Sequence, residues 1–436
     1  MPDLKTLARH IFSETLAAID IPATLQRKLA RSGTRIHCAD AIVDLAAFRQ
    51  VRVVAFGKAA FSMASGLADL LAPDVRPLGI LVTPAPALCV LDGFQMFVAG
   101  HPVPTAQSFA AARAILDLLT SCDEHTLVFF LLSGGGSALV ELPLDPSLTL
   151  DDAQSLNRLL VTCGAPIDDI NAVRKHLSAV KGGRLAAAAP LSTKLTFGVS
   201  DVPVGRESAL ASGPTLPDPT TIADALRVIQ RYNLLNKLPP RLRTLLERRA
   251  LVETPKPGDP AFSRAHFEIL LGMTDLFHQT HRVAEAAGCV TICDNSTDDW
   301  PLEQSADFLL DQLAQLRQAN PGRRVAVIAD GEVSSPVTGD GTGGRNSAFV
   351  LYCVEKIADL QVAVLSAGTD GVDGNSPAAG AVADGASFGR ARAAGLDPRD
   401  FFRRSDAYNF FKQLGDAIEI GPTGNNLRDL RILLAE

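Results

Sequence analysis

Short, continuously apolar runs alternate along the chain with longer segments whose apolar residues recur at helical spacing. This alternation is typical of β–α–β units, in which helices cover both faces of a mainly parallel sheet. A strand that is covered on both faces has no polar side, so its sequence is continuously apolar. In the first half, the predicted strands are residues 51–56, 79–83, 127–132 and 195–200, and the predicted helices are residues 59–71, 108–119, 151–163 and 168–180.

The alternation fails around residues 235–265, where the chain is rich in proline and charge. Such a segment is typical of a connection between domains, so we place a domain boundary there. Further strands are predicted at residues 266–271, 290–293, 324–328, 362–366 and 417–420. The sequence therefore predicts two α/β domains, residues 1–240 and residues 255–436.

Composition and charge narrow the class of protein. A chain of 436 residues is long enough for two cores. The formal net charge of −7 argues against nucleic acid or a membrane as the main partner, since both favour a basic surface. The seven cysteines are scattered without a CxxC pair, so we expect reduced thiols and no metal site there. The N-terminus lacks the apolar core of a signal peptide, and no apolar run approaches the ~18 residues of a membrane span, which predicts a cytoplasmic protein.

Ligands of open α/β sheets bind beyond the carboxyl ends of the strands, so the loops that directly follow the predicted strands are informative. The first strand is followed by Gly57 and Lys58, at a strand-to-helix turn where a lysine can hold a phosphate group. A solvated lysine is the alternative. The most apolar strand is followed by the segment that we call the Ser133 loop, which consists of Ser133, Gly134, Gly135, Gly136 and Ser137. Its N–H groups can converge on a phosphate or carboxylate, with a flexible turn as the alternative.

Two further segments indicate anion binding. Arg174, Ser178 and Lys181 have the spacing of one helix face, which is either an anion site or a solvated surface. Residues 339–346 form a glycine-rich segment that ends in Gly343, Gly344, Arg345 and Asn346. Its spacing resembles a Walker A loop, but no strand directly precedes it and the magnesium-binding hydroxyl is missing. An arginine beside a glycine-rich backbone still suits a phosphoryl group.

Carboxylates in the turns after strands are the candidates for Mg²⁺, which usually takes one or two carboxylates and keeps waters and phosphate oxygens as its other ligands. Asp370 and Asp373 lie in one such turn, and Asp201 and Glu332 follow other strands. A turn that holds no metal is the alternative. His101 directly follows a strand, and we expect it to be packed or to cap a helix.

The loops contain glycines, cations and paired acids, but no convincing nucleophile–base pair. This set of residues fits phosphoryl transfer, in which a protein mainly positions its substrates and neutralises their charge. The motifs that carry this inventory are GKAA at Gly57, GHPVP at Gly100, SGGGSAL at Ser133, NAVRKHLSAVKGGRLA at Asn171, SDVP at Ser200, ASGPT at Ala211, GGRN at Gly343, GTDGVDG at Gly368 and GPTGNN at Gly421. In kind and order they resemble those of the glycerate 2-kinase family, whose C-terminal half carries the MOFRL domain. The resemblance spans nearly the whole chain.

The resemblance implies a Rossmann-like N-terminal domain, a C-terminal MOFRL-type α/β domain and an active site in the cleft between them. It also implies an ATP- and Mg²⁺-dependent phosphorylation of glycerate, in which D-glycerate becomes 2-phosphoglycerate. The partners are then small molecules, glycerate and ATP, and the resemblance permits an oligomer. The family's proposed catalytic lysine and arginine fall on Lys58 and Arg345. The chain departs from the family at two places. Asp330-Gly331-Glu332-Val333-Ser334 replaces Gly-Gly-Glu-Thr-Thr, and Thr105 replaces the aspartate that ends the family motif GHPVPD.

Two other functional classes stay open at this point. Some family members carry the label hydroxypyruvate reductase, an NAD(P)H-dependent activity. A dinucleotide site requires GxGxxG after a strand and an acid about 20 residues further on, whereas the Lys58 turn has a single glycine. A non-catalytic sugar-acid binding protein is the third class, and it would not need so many loops suited to phosphate.

Overall fold

The computed structural model describes residues 3–38, 41–86, 89–200, 202, 205–425 and 427–436. The chain divides into two compact units. The N-terminal unit comprises residues 21–270, and the C-terminal unit comprises residues 271–436 together with residues 1–20. None of the helices in the described ranges is both long and apolar enough to cross a membrane.

Strands and helices alternate through most of the chain, as the sequence predicts. The strands are β1 (Leu29–Ser32), β2 (Arg35–Cys38), β3 (Ala41–Asp44), β4 (Gln50–Phe56), β5 (Leu78–Thr83), β6 (Phe94–Val98), β7 (Thr126–Ser133), β8 (Thr193–Val199), β9 (Ala265–Leu271), β10 (Val290–Cys293), β11 (Val325–Asp330), β12 (Val362–Gly368), β13 (Gly380–Asp384), β14 (Ala417–Ile418) and β15 (Asp429–Ala435). The helices are α1 (Leu4–Ala18), α2 (Ile21–Lys28), α3 (Ala60–Leu71), α4 (Ala106–Thr120), α5 (Gly136–Leu139), α6 (Leu150–Thr162), α7 (Ile167–Leu177), α8 (Arg184–Ala187), α9 (Ile222–Arg231), α10 (Pro240–Glu247), α11 (Met273–Ala286), α12 (Leu302–Ala319), α13 (Arg345–Lys356), α14 (Ser387–Ala393), α15 (Pro398–Arg403) and α16 (Ala407–Leu414).

The N-terminal unit centres on a six-stranded sheet of order β6-β5-β4-β7-β8-β9. The first five of these strands run parallel, which confirms the predicted mainly parallel sheet for this unit. Every residue of β7 is buried, as its continuously apolar sequence predicts. Phe56 at the end of β4 pairs with Leu132 near the end of β7, so the segments that follow these two strands emerge side by side.

The C-terminal unit centres on a six-stranded sheet of order β10-β11-β15-β12-β13-β14. Among the described residues, β10 and β11 form its only parallel pair, so this sheet is mixed and the predicted parallel arrangement does not hold here. The central strand β15, which the sequence analysis did not predict, runs antiparallel between β11 and β12. The start of β15 therefore meets the ends of β11 and β12, with Asp330 opposite Leu430 and Gly368 opposite Asp429.

The first helix, α1, belongs to the C-terminal unit although it begins the chain. Its buried face, which includes Leu7, Ile11 and Phe12, packs on α11, β12, β13 and β15. The Lys5 ammonium forms ion pairs with Asp384 and Asp416, over 3.3 Å and 2.9 Å. These contacts tie the helix to elements that lie more than 250 residues away in the sequence.

The division of the chain differs from the predicted boundary between residues 240 and 255. The two units divide at residues 20 and 270, because α1 joins the C-terminal unit and β9 joins the N-terminal sheet beside β8. The predicted boundary assigns the strand at residues 266–271 to the second domain. Helix α10, inside the proline-rich segment, buries Leu242 and Leu246 in a core cluster of the N-terminal unit. The segment is therefore part of the N-terminal unit and does not mark its end.

Replacing Phe12 with alanine should lower the free energy of unfolding of the C-terminal unit by about 3–4 kcal/mol, because the substitution leaves a cavity in a buried site. Hydrogen exchange measured by mass spectrometry should show faster exchange in β12 and α11, and unchanged exchange in β7. The control is Glu14→Ala, an exposed position on the same helix. Faster exchange in β7 together with unchanged exchange in β12 would contradict the placement of α1.

Candidate active site

The Lys58 turn and the Ser133 loop are held against each other at the carboxyl ends of β4 and β7. The backbone N–H of Lys58 donates to the carbonyl oxygen of Gly134 over 2.9 Å, and the N–H of Ala59 donates to the Ser133 hydroxyl over 2.9 Å. Gly57 has a φ of +128°, and a Cβ there would lie 2.1 Å from the Ser133 hydroxyl oxygen. Only glycine fits this close approach. The structure thus brings together two of the predicted anion-binding segments.

His101 lies beside this pair of loops. A Cβ on Gly135 would lie 3.0 Å from His101 Cδ2 and 3.7 Å from Lys58 Cγ, which places both side chains over the same glycine. His101 is partly exposed, but its ring packs against Gly135, and partial burial and the nearby Lys58 ammonium lower its pKa. The N-cap of the following helix α4 is Thr105, whose backbone N–H donates to the Ser108 hydroxyl over 3.0 Å and whose hydroxyl accepts from the N–H of Gly100 over 3.1 Å. Thr105 therefore has a structural role at the position where the chain departs from the family motif.

A chain of polar side chains connects the Ser133 loop to two other predicted motifs. The hydroxyl oxygens of Ser137 and Ser212 lie 2.7 Å apart, and the Ser212 hydroxyl donates to Asn171 Oδ1 over 3.0 Å. Asn171 Nδ2 is buried and has no hydrogen-bond partner among the described residues. The motifs that begin at Ser133, Asn171 and Ala211 therefore meet at one place in the N-terminal unit.

The predicted stripe of Arg174, Ser178 and Lys181 on one helix face is wrong. Helix α7 ends at Leu177, and Ser178 has an extended backbone with φ of −107° and ψ of 140°. Lys181 is fully buried, and its ammonium pairs with the carboxylate of Glu141. Burial lowers the pKa of Lys181, and the neighbouring Glu141 opposes that shift. The positive charge of Lys181 is therefore already matched inside the protein.

Arg174 keeps a position from which it can contact a ligand. Its Nη2 donates to Asn157 Oδ1 over 2.8 Å, and burial lowers the pKa of its guanidinium. It lines a small pocket of about 30 Å³ together with Ser137, Glu141 and Ser178. The pocket has room for one functional group or one water molecule, and not for a whole metabolite.

In the C-terminal unit, the guanidinium of Arg345 is held by two carboxylates. Arg345 is the first residue of α13, and its Nε donates to Asp429 at the start of β15. Its Nη2 lies 2.8 Å from Glu332 Oε1, in the segment that follows β11. Although burial opposes the shift, Asp429 and Glu332 raise the pKa of Arg345. Arg345 is therefore permanently charged and held at the edge where β11, β12 and β15 meet.

A second set of contacts supports the segment that carries Glu332. The backbone N–H of Glu332 donates to Asp298 Oδ1 over 2.9 Å, and Asp298 Oδ2 pairs with Arg428 over 2.8 Å. The fully buried Arg431 donates from Nη2 to the carbonyl oxygens of Asp330 and Gly331, over 2.7 Å and 3.0 Å. These contacts fix the backbone that leads into Glu332.

Asp330, the first of the three positions in which this loop departs from the family motif, is fully buried. Both of its carboxylate oxygens lack a hydrogen-bond partner among the described residues. Burial raises the pKa of Asp330 to about 7, against the lowering effect of Arg428 and Arg431. This carboxyl group is therefore partly protonated near neutral pH, while the carboxylate of Asp429 pairs with a cation.

The glycine-rich segment 339–346 donates its N–H groups to the protein itself. The N–H groups of Gly341, Thr342 and Gly343 donate to the Arg404 carbonyl, Asp406 and Asn375, over 3.1, 2.9 and 2.8 Å. Gly344 is needed for close packing, because a Cβ there would lie 2.2 Å from Asp373 Oδ1. Asn346 is buried, and its Oδ1 accepts from the Ser366 hydroxyl over 2.6 Å. In this conformation the segment positions Arg345 and does not present a backbone cradle.

Of the predicted magnesium ligands, Asp373 acts as the cap of α13. Its carboxylate accepts from the N–H of Asn346, the N–H of Ser347 and the Ser347 hydroxyl, over 3.0, 2.8 and 2.6 Å. Asp370 Oδ1 and Asp429 Oδ1 lie 3.0 Å and 3.4 Å from the point where a Cβ on Gly368 would stand. Two carboxylate oxygens thus flank one point, which fits the small ligand set that Mg²⁺ takes from proteins.

No group of three or more histidine, cysteine, aspartate or glutamate side chains is placed to hold a metal ion within the described ranges. Asp201 lies outside the described residues. Sequence reasoning missed Asp429, which completes both the Arg345 ion pair and the pair of carboxylates beside Gly368. The signal that could have found it is the apolar run of residues 432–435, which follows shortly after Asp429.

Comparisons with known proteins cover both units. A family model described as a domain of unknown function, DUF4147, matches residues 7–247, and the MOFRL family model matches residues 325–429. A D-glycerate 2-kinase of Thermotoga maritima is 34% identical, covering 88% of this chain and 90% of its own. A relative from Agrobacterium vitis, which is provisionally named a hydroxypyruvate reductase, is 36% identical, and the match covers 88% of this chain and 86% of the relative. The crystal structure of a Thermotoga maritima glycerate kinase covers 99% of both chains, with a TM-score of 0.85 and 32% identity.

The two family models contain the candidate residues of the two units. The DUF4147 match includes Lys58, the Ser133 loop and Arg174, and the MOFRL match includes Arg345 and Asp429. The relatives and the solved structure match across nearly the full length, which confirms the resemblance drawn from the motifs. The chain therefore belongs to the glycerate 2-kinase family, in which a DUF4147 region is followed by a MOFRL domain.

Proposed function

We propose that this chain transfers the γ-phosphoryl group of ATP to the C2 hydroxyl of D-glycerate, with Mg²⁺ bound to the phosphates. The observation that carries the proposal is Arg345, a charged guanidinium held between Asp429 and Glu332 at a strand edge of the C-terminal unit. Phosphoryl transfer requires fixed positive charge where negative charge develops on the transferring group. The D-glycerate 2-kinase name of the Thermotoga maritima relative supports the substrate and the position of phosphorylation.

Arg345 is oriented before any substrate arrives. Asp429 engages Nε and Glu332 engages Nη2, which fixes the guanidinium plane and directs the remaining N–H groups away from these two partners. A donor that is already oriented needs no reorganisation as the reaction proceeds, so the transition state carries no cost of orienting it. We infer that Asp429 is a positioning residue, which acts on the reaction through Arg345.

In the N-terminal unit, Lys58 supplies the second proposed catalytic charge. Its backbone N–H donates to the Gly134 carbonyl, and its side chain runs past Gly135. The side chain of Lys58 therefore lies beside the Ser133 loop. A lysine can hold phosphate oxygens as a point charge. Arg174, which lines the small pocket beside Ser137, can contact a substrate carboxylate. Lys181 is a weaker candidate for ligand binding, because its side chain is fully buried against Glu141, whereas the side chain of Arg345 is about one third exposed.

For Mg²⁺, the residues present fit at one place. We propose Asp370 as the ligand at the point beside Gly368, with Glu332 and Asp201 as further candidates from the sequence. Asp429 also lies near that point, but its other carboxylate oxygen pairs with Arg345, and we assign it to the arginine. Asp373 has its hydrogen-bonding capacity taken by α13, so it contributes by holding the helix. Mg²⁺, when bound, would neutralise the phosphate oxygens of ATP.

Hydroxypyruvate reduction is the second candidate, and the name of the Agrobacterium vitis relative favours it. The Lys58 turn argues against it. A dinucleotide pyrophosphate needs several glycines so that the backbone can approach it closely. This turn has one glycine, Gly57, and the space beside its Cα is occupied by Ser133.

Purified protein given D-glycerate, ATP and Mg²⁺ should form 2-phosphoglycerate, identified by ³¹P NMR of the product. Activity should disappear with EDTA and return with Mg²⁺ or Mn²⁺, because the phosphate charges need a divalent cation. The same protein given hydroxypyruvate and NADH should oxidise no NADH. Formation of 3-phosphoglycerate would contradict the assignment of C2, and NADH oxidation without phosphoglycerate would favour the reductase.

Lys58→Ala and Arg345→Ala should each lower kcat by about 100-fold, since removing one oriented charge from a transferring phosphoryl group costs about 3 kcal/mol. Circular dichroism should show both variants folded. Matched controls are Lys237→Ala and Arg282→Ala, exposed cations of the same two units, which should keep the wild-type rate. A wild-type rate in Lys58→Ala or Arg345→Ala would remove that residue from the catalytic assignment.

A further inference from the structure

A groove of about 480 Å³ lies on the C-terminal unit, between the C-terminal ends of α12 and α13. We call it the α12–α13 groove. Its apolar lining includes the buried residues Leu313, Ile357 and Val362 and the half-exposed Leu360. Its volume is within the range of roughly 300–1,000 Å³ that is usual for small-molecule sites. The groove is therefore large enough for an organic ligand, unlike the pocket beside Arg174.

The α12–α13 groove is distinct from the candidate active site of the same unit. Helix α13 begins at Arg345 and ends at Lys356, which lines the groove. Strand β12 begins at Val362 in the groove and ends at Gly368, and β15 runs from Asp429 to Ala435 in the groove. The groove thus lies at the opposite edge of the sheet, about 18 Å from Arg345 along a helix of 12 residues.

The rim of the groove is basic in a chain whose net charge is −7. It carries Arg317, Arg323 and Lys356, with Glu436 as the acid. Glu436 is paired with Arg324 over 3.3 Å, and Lys356 is paired with Asp307 over 2.8 Å. Within the described part of the chain, the side chains of Arg317 and Arg323 form no hydrogen bond or ion pair. Two unpaired guanidinium groups therefore stand beside an apolar surface.

We propose that the α12–α13 groove binds an amphipathic organic anion. The apolar part of the ligand covers Leu313, Ile357 and Leu360, and its carboxylate, sulfonate or phosphate group pairs with Arg317 and Arg323. Apolar burial drives such binding in proportion to area, and a guanidinium adds bidentate recognition of oxyanions. An inorganic anion would leave the apolar surface uncovered, and a neutral apolar ligand would leave both guanidinium groups without a partner.

The test uses anilinonaphthalene sulfonate, a fluorescent amphipathic anion, titrated into the full-length protein. We expect saturable binding at one site with a rise in fluorescence. Arg317→Glu combined with Arg323→Glu should weaken the apparent affinity at least about tenfold, through loss of charge-assisted hydrogen bonds. Ala314→Trp, at an exposed position that lines the groove, should block binding by filling it. The control Arg282→Glu, elsewhere on the same unit, should bind as the wild type does.

Three results would overturn the proposal. They are unchanged binding in both groove variants, displacement of the probe by glycerate, which has no apolar part, and equal competition by inorganic sulfate. The first would place the probe elsewhere, the second would place it at the catalytic residues, and the third would reduce the site to charge alone. If the double glutamate variant fails to fold, as judged by circular dichroism, Arg317→Gln with Arg323→Gln replaces it and should show the same loss.

Discussion

The ion pair between Arg345 and Asp429 is the interaction on which the candidate residues of the C-terminal unit depend. Asp429 is 4% exposed, and a buried carboxylate without a partner costs several kcal/mol. Arg345 is placed to meet that need because it begins α13 beside the start of β15. Glu332 then joins from the segment after β11, so that three elements meet on one guanidinium.

The surroundings of α13 determine which groups can reach a ligand. Asp373 takes the N–H groups of Asn346 and Ser347, and Gly344 allows this carboxylate to approach because it has no side chain. The helix N-terminus, often an anion site by itself, is thus satisfied from within the chain. What the helix presents is the side chain of Arg345. The same loop that resembles a phosphate-binding motif in sequence therefore works by orienting an arginine.

The sequence predicted the parts of the site that follow strongly apolar strands. Lys58 and the Ser133 loop come directly after β4 and β7, whose continuous apolar runs are a local signal. Arg345 was predicted from the glycine-rich segment that precedes it in the sequence. Asp429 was missed because β15 inserts antiparallel between two strands that are distant from it in the chain, and no local pattern predicts that pairing.

Two other differences have the same origin in long-range contacts. The stripe of Arg174, Ser178 and Lys181 failed because the chain leaves α7 to pair with the segment at residues 142–143, where Ala179 donates to the Leu142 carbonyl over 2.8 Å. No glycine or proline marks that helix end in the sequence. Likewise, α1 is an ordinary amphipathic helix by its pattern, and its partners more than 250 residues away cannot be deduced from that pattern.

The most direct test of the account is a double-mutant cycle between Asp429 and Arg345, measured as kcat for glycerate phosphorylation. Asp429→Asn keeps the shape of the side chain and removes its charge, so the account predicts a lower kcat in the wild-type background. In the Arg345→Ala background, the same substitution should change kcat little, because Asp429 acts through the arginine. Thermal unfolding of all four proteins separates this effect from loss of stability. Equal losses in both backgrounds, in folded proteins, would contradict the central role of the ion pair.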